Sequence, residues 1–423
     1  VCFMKRNYFI VILVLIIFFV ISFLTNIMNS ILEDIKNSFD LIDFFAGFFP
    51  LFFFIAYGVM SIPAGMLIER FKEKPIMVAA FILAFIGSLT FANVPVVIVA
   101  LISLFLIGAG MALLQVAINP LLRSAGGEEH FAFFSVLGQL VFGSAAFLGP
   151  FVYKYLVLNL KDYSGGGNFL IDSLSKVVPT HIPWISLYWV FALVTLIMVV
   201  LMALVRLPKV ERKEDERAGA WETHKNLFRN KYVILYFIGI FCYVGTEQGV
   251  GNWIKSFLVR YHNMDPKGAA VDAVGYFWLM LTIGCLLGLV LLKLFDCRRV
   301  LKWFTSAAII CLGIALVGNA KMAFYGFIMV GFFLSVMWSV IFSLALNSVE
   351  KHHGSFSGIL CTGIIGGALV PPIVGGLGDL FGLRIGIMFN FLTLAYILGI
   401  GFWAKPLIDN ATILRKKEKK QEI

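Results

Sequence analysis

Phe241-Cys-Tyr-Val-Gly-Thr-Glu-Gln-Gly-Val-Gly-Asn-Trp253 decides how the chain is read, because it is polar where it should be apolar. It lies inside an apolar run that opens near Tyr232, yet it carries Thr246, Glu247, Gln248 and Asn252 among three glycines. A carboxylate near the middle of a bilayer costs about 2.5–3.5 kcal/mol on insertion scales, so such groups face a wet cavity or a partner. At helical spacing Gly245, Gln248, Gly249 and Asn252 share one face, with Glu247 flanking it. The glycines there would let a backbone or a ligand come close. The stretch is therefore expected to line a substrate cavity, with the other segments arranged around it. The bland reading of Glu247 is a helix-packing bond made in its protonated state.

The surrounding composition fits a membrane. Of 423 residues, 60% are hydrophobic and only 14% are charged, where a soluble domain carries about 25% charged residues. Mean hydropathy is +0.94. Twelve apolar segments run near 8–30, 43–68, 75–93, 96–122, 131–156 and 184–206, then 232–258, 272–294, 300–318, 322–348, 354–380 and 384–405. Each is long enough to cross a hydrocarbon core of about 30 Å as a helix. A strand barrel would alternate apolar and polar residues, and these runs are continuous. The first segment follows Lys5-Arg6 without a small-residue cleavage site, so it reads as a span and not as a cleaved signal.

Charge sets the orientation. The first loop, with Glu33, Asp34, Asp40 and Asp43 against Lys36, is acidic and should face outward. Bases gather in Glu69-Arg70-Phe71-Lys72-Glu73-Lys74, in 293–302 and in the tail from Arg415. Both termini are therefore expected in the cytoplasm. The stretch from Arg206 to Lys231 carries eight basic residues against five acidic ones and joins two sets of six segments. The lobes expected are 1–206 and 232–405, with 207–231 as linker and 406–423 as a basic tail. The loop at 157–183, with Ser164-Gly-Gly-Gly167, is expected outside and flexible.

The net charge of +10 does not point to nucleic acid, because the bases sit in loops and not on one face. The six cysteines show neither paired nor metal-ligand spacing and read as small core residues. His352-His353 reads as a solvated loop pair, and no metal site is expected. No P-loop, HExxH or nucleophile elbow occurs, so neither an enzyme nor a cofactor is expected. Energy for uphill movement would have to come from an ion gradient. A monomer is expected.

Six segments, a charged connector and six more are the layout of a two-lobed transporter. Gln115-Val-Ala-Ile-Asn119 in the fourth segment echoes Ser343-Leu-Ala-Leu-Asn347 in the tenth, 228 residues on. Further polar groups at membrane depth are Thr25, Asn26, Asn29, Ser30, Gln139 and Trp338. Amides offer donors and acceptors together, which suits a neutral, hydroxyl-rich ligand whose apolar faces stack on Trp or Tyr. An anionic ligand would instead want buried Arg or Lys. Any single amide is explained equally well by a helix–helix hydrogen bond.

These residues resemble the fucose permease branch of the major facilitator superfamily, the fucose/galactose/glucose symporters. The matching stretches are Asn26-Ile-Met-Asn-Ser-Ile-Leu32, Phe45-Ala-Gly47 through Ile62-Pro-Ala-Gly65, Gln115-Val-Ala-Ile-Asn-Pro120, Phe241-Cys-Tyr-Val-Gly245, Ile341-Phe-Ser-Leu344 and Ile364-Ile-Gly-Gly367. The resemblance implies an all-α fold of two pseudo-symmetric six-helix lobes, alternating access, and sugar import across a bacterial inner membrane. It also implies an Asp and a Glu for proton and sugar chemistry in the first and fourth segments. Here those positions hold Ser30 and Gln115, which do not titrate. The loop after the second segment departs too, since Lys72-Glu73-Lys74 lacks the superfamily's Gly-Arg pattern.

Glu247 is thus the one mid-span carboxylate left. Desolvated, it could bind and release a proton; ionised, it could hold Na⁺ with backbone and amide oxygens. The expected sugar contacts are Asn29, Gln115, Asn119, Gln139, Gln248, Asn252, Trp338 and Asn347, with Trp253 and Trp278 as further stacking candidates. A facilitator would use the same cavity without an ion. An exporter of amphipathic solutes would want a more apolar cavity, lined by Met and Phe. A transporter-like receptor would bind sugar without moving it.

Overall fold

The computed structural model describes residues 7–26, 31, 34–35, 38–40, 48–161, 163, 168–205, 220–265 and 269–413. Every regular element among them is helical. Among the described residues, twelve helices are long and apolar enough to cross a membrane. In chain order these spans are Tyr8–Thr25, Leu51–Phe71, Glu73–Asn93, Val97–Gly126, Glu128–Lys161 and Pro183–Leu204, followed by Lys231–Gly251, Asp272–Leu294, Cys297–Val317, Ala320–Leu346, His353–Phe381 and Leu383–Trp403. They are numbered 1 to 12 below.

Short polar caps and single turn residues set the span limits. Asn230, Asp296 and Asn319 stand before spans 7, 9 and 10, and each side chain accepts a backbone N–H of the first turn. That satisfies donors a helix start leaves open. Spans 2 and 3 are joined by Lys72 alone, at φ 69, and spans 11 and 12 by Gly382 at φ 92. In a turn this tight one residue must take the left-handed region, which costs Gly least.

Two spans are less regular than the sequence suggests. Span 10 is two helices, Ala320–Leu334 and Met337–Leu346, broken at Ser335 and Val336. Span 11 runs as His353–Thr362, a 3₁₀ turn at Gly363–Ile365, and Gly366–Phe381, the last piece carrying Pro371 and Pro372. Proline removes a ladder donor and glycine loosens the backbone, which accounts for the change of pitch in span 11.

The segment after span 5 differs from the flexible loop expected. Span 5 continues to Lys161, and a helix at Phe169–Leu174 is capped by the Asn168 side chain, which accepts from Ile171 N at 3.1 Å. Tyr163 donates to Asp172 at 2.8 Å, and Asn168 donates to the Tyr155 hydroxyl at 2.7 Å. The residues 164–167 of the glycine run lie outside the described residues. In the linker, Ala220–Arg229 is helical.

Spans 1–6 and 7–12 form two lobes. Between them, span 2 packs along span 11, span 4 against the first helical piece of span 11, and span 5 against spans 8 and 10. Both ends of the described chain lie at the same end of the bundle. Asn7 N donates to Ala125 O at 3.1 Å, and Ala411 N donates to Glu129 O at 2.8 Å. Arg70, Lys72, Lys74, Arg123, Lys231, Arg298 and Lys302 gather at this end, called the basic end below.

Candidate functional site

Span 7 presents two working faces. Tyr243, Glu247 and Gly251 follow one another at single-turn spacing, about 5.4 Å along the axis. The Tyr243 ring lies 6.1 Å from Trp338 of span 10, and a Cβ on Gly251 would meet the Trp278 ring of span 8 at 3.2 Å. On the helix, Glu247 therefore lies one turn from each of the two residues that make these tryptophan contacts, and it is half-buried. The Tyr243 hydroxyl neighbours its carboxyl without reaching hydrogen-bond geometry. Tyr243 Oη and Trp338 Nε1 are both buried and without a hydrogen-bond partner among the described residues. A buried donor left unmade costs about 1–3 kcal/mol, so these two ask for an explanation.

The second face is packing. Gly245 lies against Val370, and Gly249 lies against Val370 and the Asn390 amide. Thr246 shares a 2.6 Å hydrogen bond with Thr393. This corrects the sequence reading, which placed Gly245 and Gly249 on the cavity-lining face. Their missing side chains make room for spans 11 and 12. Gln248 is half-buried and lies flat over Gly367, where a Cβ would come within 3.1 Å of its Cγ. Asn252 follows the last helical turn and is exposed.

The other expected contacts are scattered. Trp253 donates Nε1–H to Pro371 O at 3.1 Å and covers Gly375, so its polar atom already serves the kinked piece of span 11. Trp278 is half-buried, edge-on to Phe277 at 5.2 Å. In the first lobe Gln115 is 6% exposed, and Asn119 is fully buried. Asn119 donates to Gln115 O at 2.7 Å and leaves its Oδ1 without a partner. Gln139 is half-buried on span 5, one turn before Gly143, which abuts Thr282 of span 8. Asn29 and Ser30 lie outside the described residues.

Asn347 is not grouped with Glu247. It sits at the basic end, where its Oδ1 accepts from Arg123 Nε at 2.8 Å and its Nδ2 donates to Glu128 O at 3.3 Å. The lobes meet again nearby. Glu69 Oε1 accepts from Ser355 N at 3.0 Å, its Oε2 is 3.6 Å from His352 Nδ1, and Ser357 Oγ donates to Val116 O at 3.0 Å. These lobe-crossing bonds close the basic end. Sequence reasoning missed Tyr243, Asn390 and Arg123. A lone amide in the twelfth apolar segment was the available sign for Asn390. A lone base just past the fourth segment was the sign for Arg123.

The sequence pattern of the Major Facilitator Superfamily matches residues 14–364. The chain belongs to that superfamily. A glucose/galactose transporter of Brucella abortus (biovar 1, strain 9-941) is 30% identical over 394 residues, 91% of each chain. The L-fucose-proton symporter of Escherichia coli (strain K12) is 24% identical over 381 residues, 86% of each. The crystal structure of the E. coli fucose:proton symporter matches with a TM-score of 0.79 at 22% identity, covering 93% of this chain and 98% of that one. Among superfamily members, the chain falls in the fucose permease-like group. It is a multi-pass helical membrane protein.

Proposed function

We propose that the protein is a secondary transporter that imports a neutral monosaccharide, a hexose or deoxyhexose, by alternating access. Import is coupled to H⁺ or Na⁺ through Glu247. The observation that carries this reading is the half-buried Glu247 carboxyl with the Tyr243 hydroxyl beside it, on a helix face whose adjoining turns meet Trp338 and Trp278, the indole N–H of Trp338 having no partner among the described residues. A ring of hydroxyls supplies acceptors for such donors, and its apolar faces suit indole. The printed names of the relatives, a glucose/galactose transporter and a fucose-proton symporter, agree with a sugar. Gln115, Asn119 and Gln139 are the first lobe's candidates for sugar contact, and Gln248 and Asn252 the second lobe's.

The basic end is assigned to the cytoplasm of a bacterial inner membrane on its charge, with lobes at 1–206 and 232–405 around the linker 207–231. An uncoupled facilitator is the second reading, favoured by the non-titrating Ser30 and Gln115. Uptake into energised vesicles separates the two. Glu247→Gln abolishes accumulation while leaving counterflow exchange largely intact under the symport reading. Equal loss of both activities assigns Glu247 to sugar binding or packing, and unchanged accumulation rejects coupling through it.

A further inference from the structure

The basic end carries a feature that neither the fold nor the sugar site requires, a buried arginine. Arg123 ends span 4 and is 5% exposed. A buried charge is tolerated where it is paired, and Arg123 is paired twice. Its guanidinium meets Glu128 Oε1 at 2.8 Å within its own lobe, and its Nε reaches Asn347 Oδ1 at 2.8 Å in the other lobe.

Asn347 is itself clasped by residues that follow the last span. Leu407 N donates to Asn347 O at 2.7 Å. Three residues on, Asn410 is 6% exposed and anchored three times to the turn between spans 8 and 9. It accepts from Cys297 N at 3.0 Å and donates to Leu292 O at 3.2 Å and Phe295 O at 3.1 Å. Asp409 lies 3.4 Å from Arg298. Ala411 N then crosses to the first lobe, to Glu129 O. The strap from Ala404 to Ile413 is thus fixed to the second lobe and reaches over the junction.

We propose that Arg123, Asn347 and the strap form a latch that sets how readily this carrier opens at its basic end. The chemistry makes the latch reversible. When the lobes part, Arg123 keeps Glu128 and gives up only a neutral amide, so its charge is never left bare. The strap loses the Ala411 bond to Glu129 O and keeps its anchor at Asn410. A lobe-crossing salt bridge would instead leave two charges to be hydrated at each opening.

The inference rests on alternating access but needs no sugar for its test. Spin labels at Lys72→Cys and Lys351→Cys, both exposed at the basic end on opposite lobes, report lobe separation in a background with Cys2→Ala, Cys311→Ala and Cys361→Ala. Arg123→Met raises the open-to-closed ratio by about ten-fold, the effect expected for one hydrogen bond to a charged group, and truncation after Lys405 raises it by about two- to ten-fold, as for one neutral backbone bond. Asn347→Ala gives the same shift, and Arg123→Met adds little to it. Unchanged distance distributions in well-folded variants overturn the latch. If the latch variants shift the distances while no monosaccharide shifts them in the wild type, the sugar reading fails and the latch stands.

Discussion

Gly358→Ala adds one methyl group at the seam between the lobes. A Cβ at position 358 would lie 2.5 Å from Ser61 O and 3.2 Å from Gly65 Cα, both in span 2 of the other lobe. Those atoms are backbone and cannot swing aside. To reach the ~3.3 Å at which a carbon rests against a carbonyl oxygen, spans 2 and 11 must part by about 0.8 Å. Overpacking of this kind costs about 1–3 kcal/mol. The whole cost falls on the state closed at the basic end, because opening separates the two helices. The open state should gain roughly 5–150-fold in relative population. Cys361 reports it. The residue is fully buried one turn further along span 11, and its thiol neighbours the Tyr57 hydroxyl of span 2. N-ethylmaleimide labelling in membranes, followed at the Cys361 peptide, should speed up by the same factor. Gly376→Ala, on the same span with nothing within 4 Å of a Cβ, should leave the rate unchanged. Unaltered labelling in Gly358→Ala, with a lowered melting temperature, would show that the contact is static packing and refute a moving seam.

Two smaller tests separate packing from ligand contact and probe the charged turn. Trp253→Phe loses the bond to Pro371 and should cost about 0.5–1.5 kcal/mol of stability, seen as a lower Tm with the half-saturation for sugar unchanged. A changed half-saturation at unchanged Tm would return Trp253 to the ligand. Burial opposes ionisation of Asp296, between spans 8 and 9, but bonds from the Arg298 side chain and backbone outweigh it and hold the carboxyl below its ordinary value. A lowered carboxyl stabilises above its unfolded pKa, about 3.9, and that contribution fades as pH falls below it. The Tm gap between wild type and Asp296→Asn should therefore be widest near neutral pH and narrow on acidification. A gap independent of pH would assign the loss to the helix cap alone.

The twelve spans were legible because continuous apolar length has one physical reading in a chain so poor in charge. The break in span 10 was not, since Ser335-Val336 contains neither proline nor glycine and hydropathy is blind to backbone pitch. At the site, Glu247 announced itself through the cost of a carboxylate in an apolar run. Its helical face was harder to read. Gly245 and Gly249 are as compatible with a cavity wall as with close packing until Val370 and Asn390 are seen against them. Asn119 and Asn347 look like twins 228 residues apart, yet among the described residues Asn347 has an arginine facing it from the other lobe and the Asn119 Oδ1 has no partner. Pairing across lobes is tertiary information, and helical spacing within one segment carries none of it.

The same distinction constrains how an ion at Glu247 could drive transport. Tyr243, whose hydroxyl neighbours the Glu247 carboxyl, lies on the same helix and so moves with it in the second lobe. A bound ion shifts a two-state equilibrium only by its differential free energy between the states. A carboxyl whose surroundings move with it as one body gains little such difference from its own lobe. A ligand touching both lobes at once supplies such a difference, one that meets Tyr243 beside Glu247 and reaches Gln115, Asn119 or Gln139. On the symport reading, ion and sugar are linked through the sugar's span across the cavity. Loading Glu247 alone should leave the lobes where they are, and distance measurements with ion but no sugar can check this.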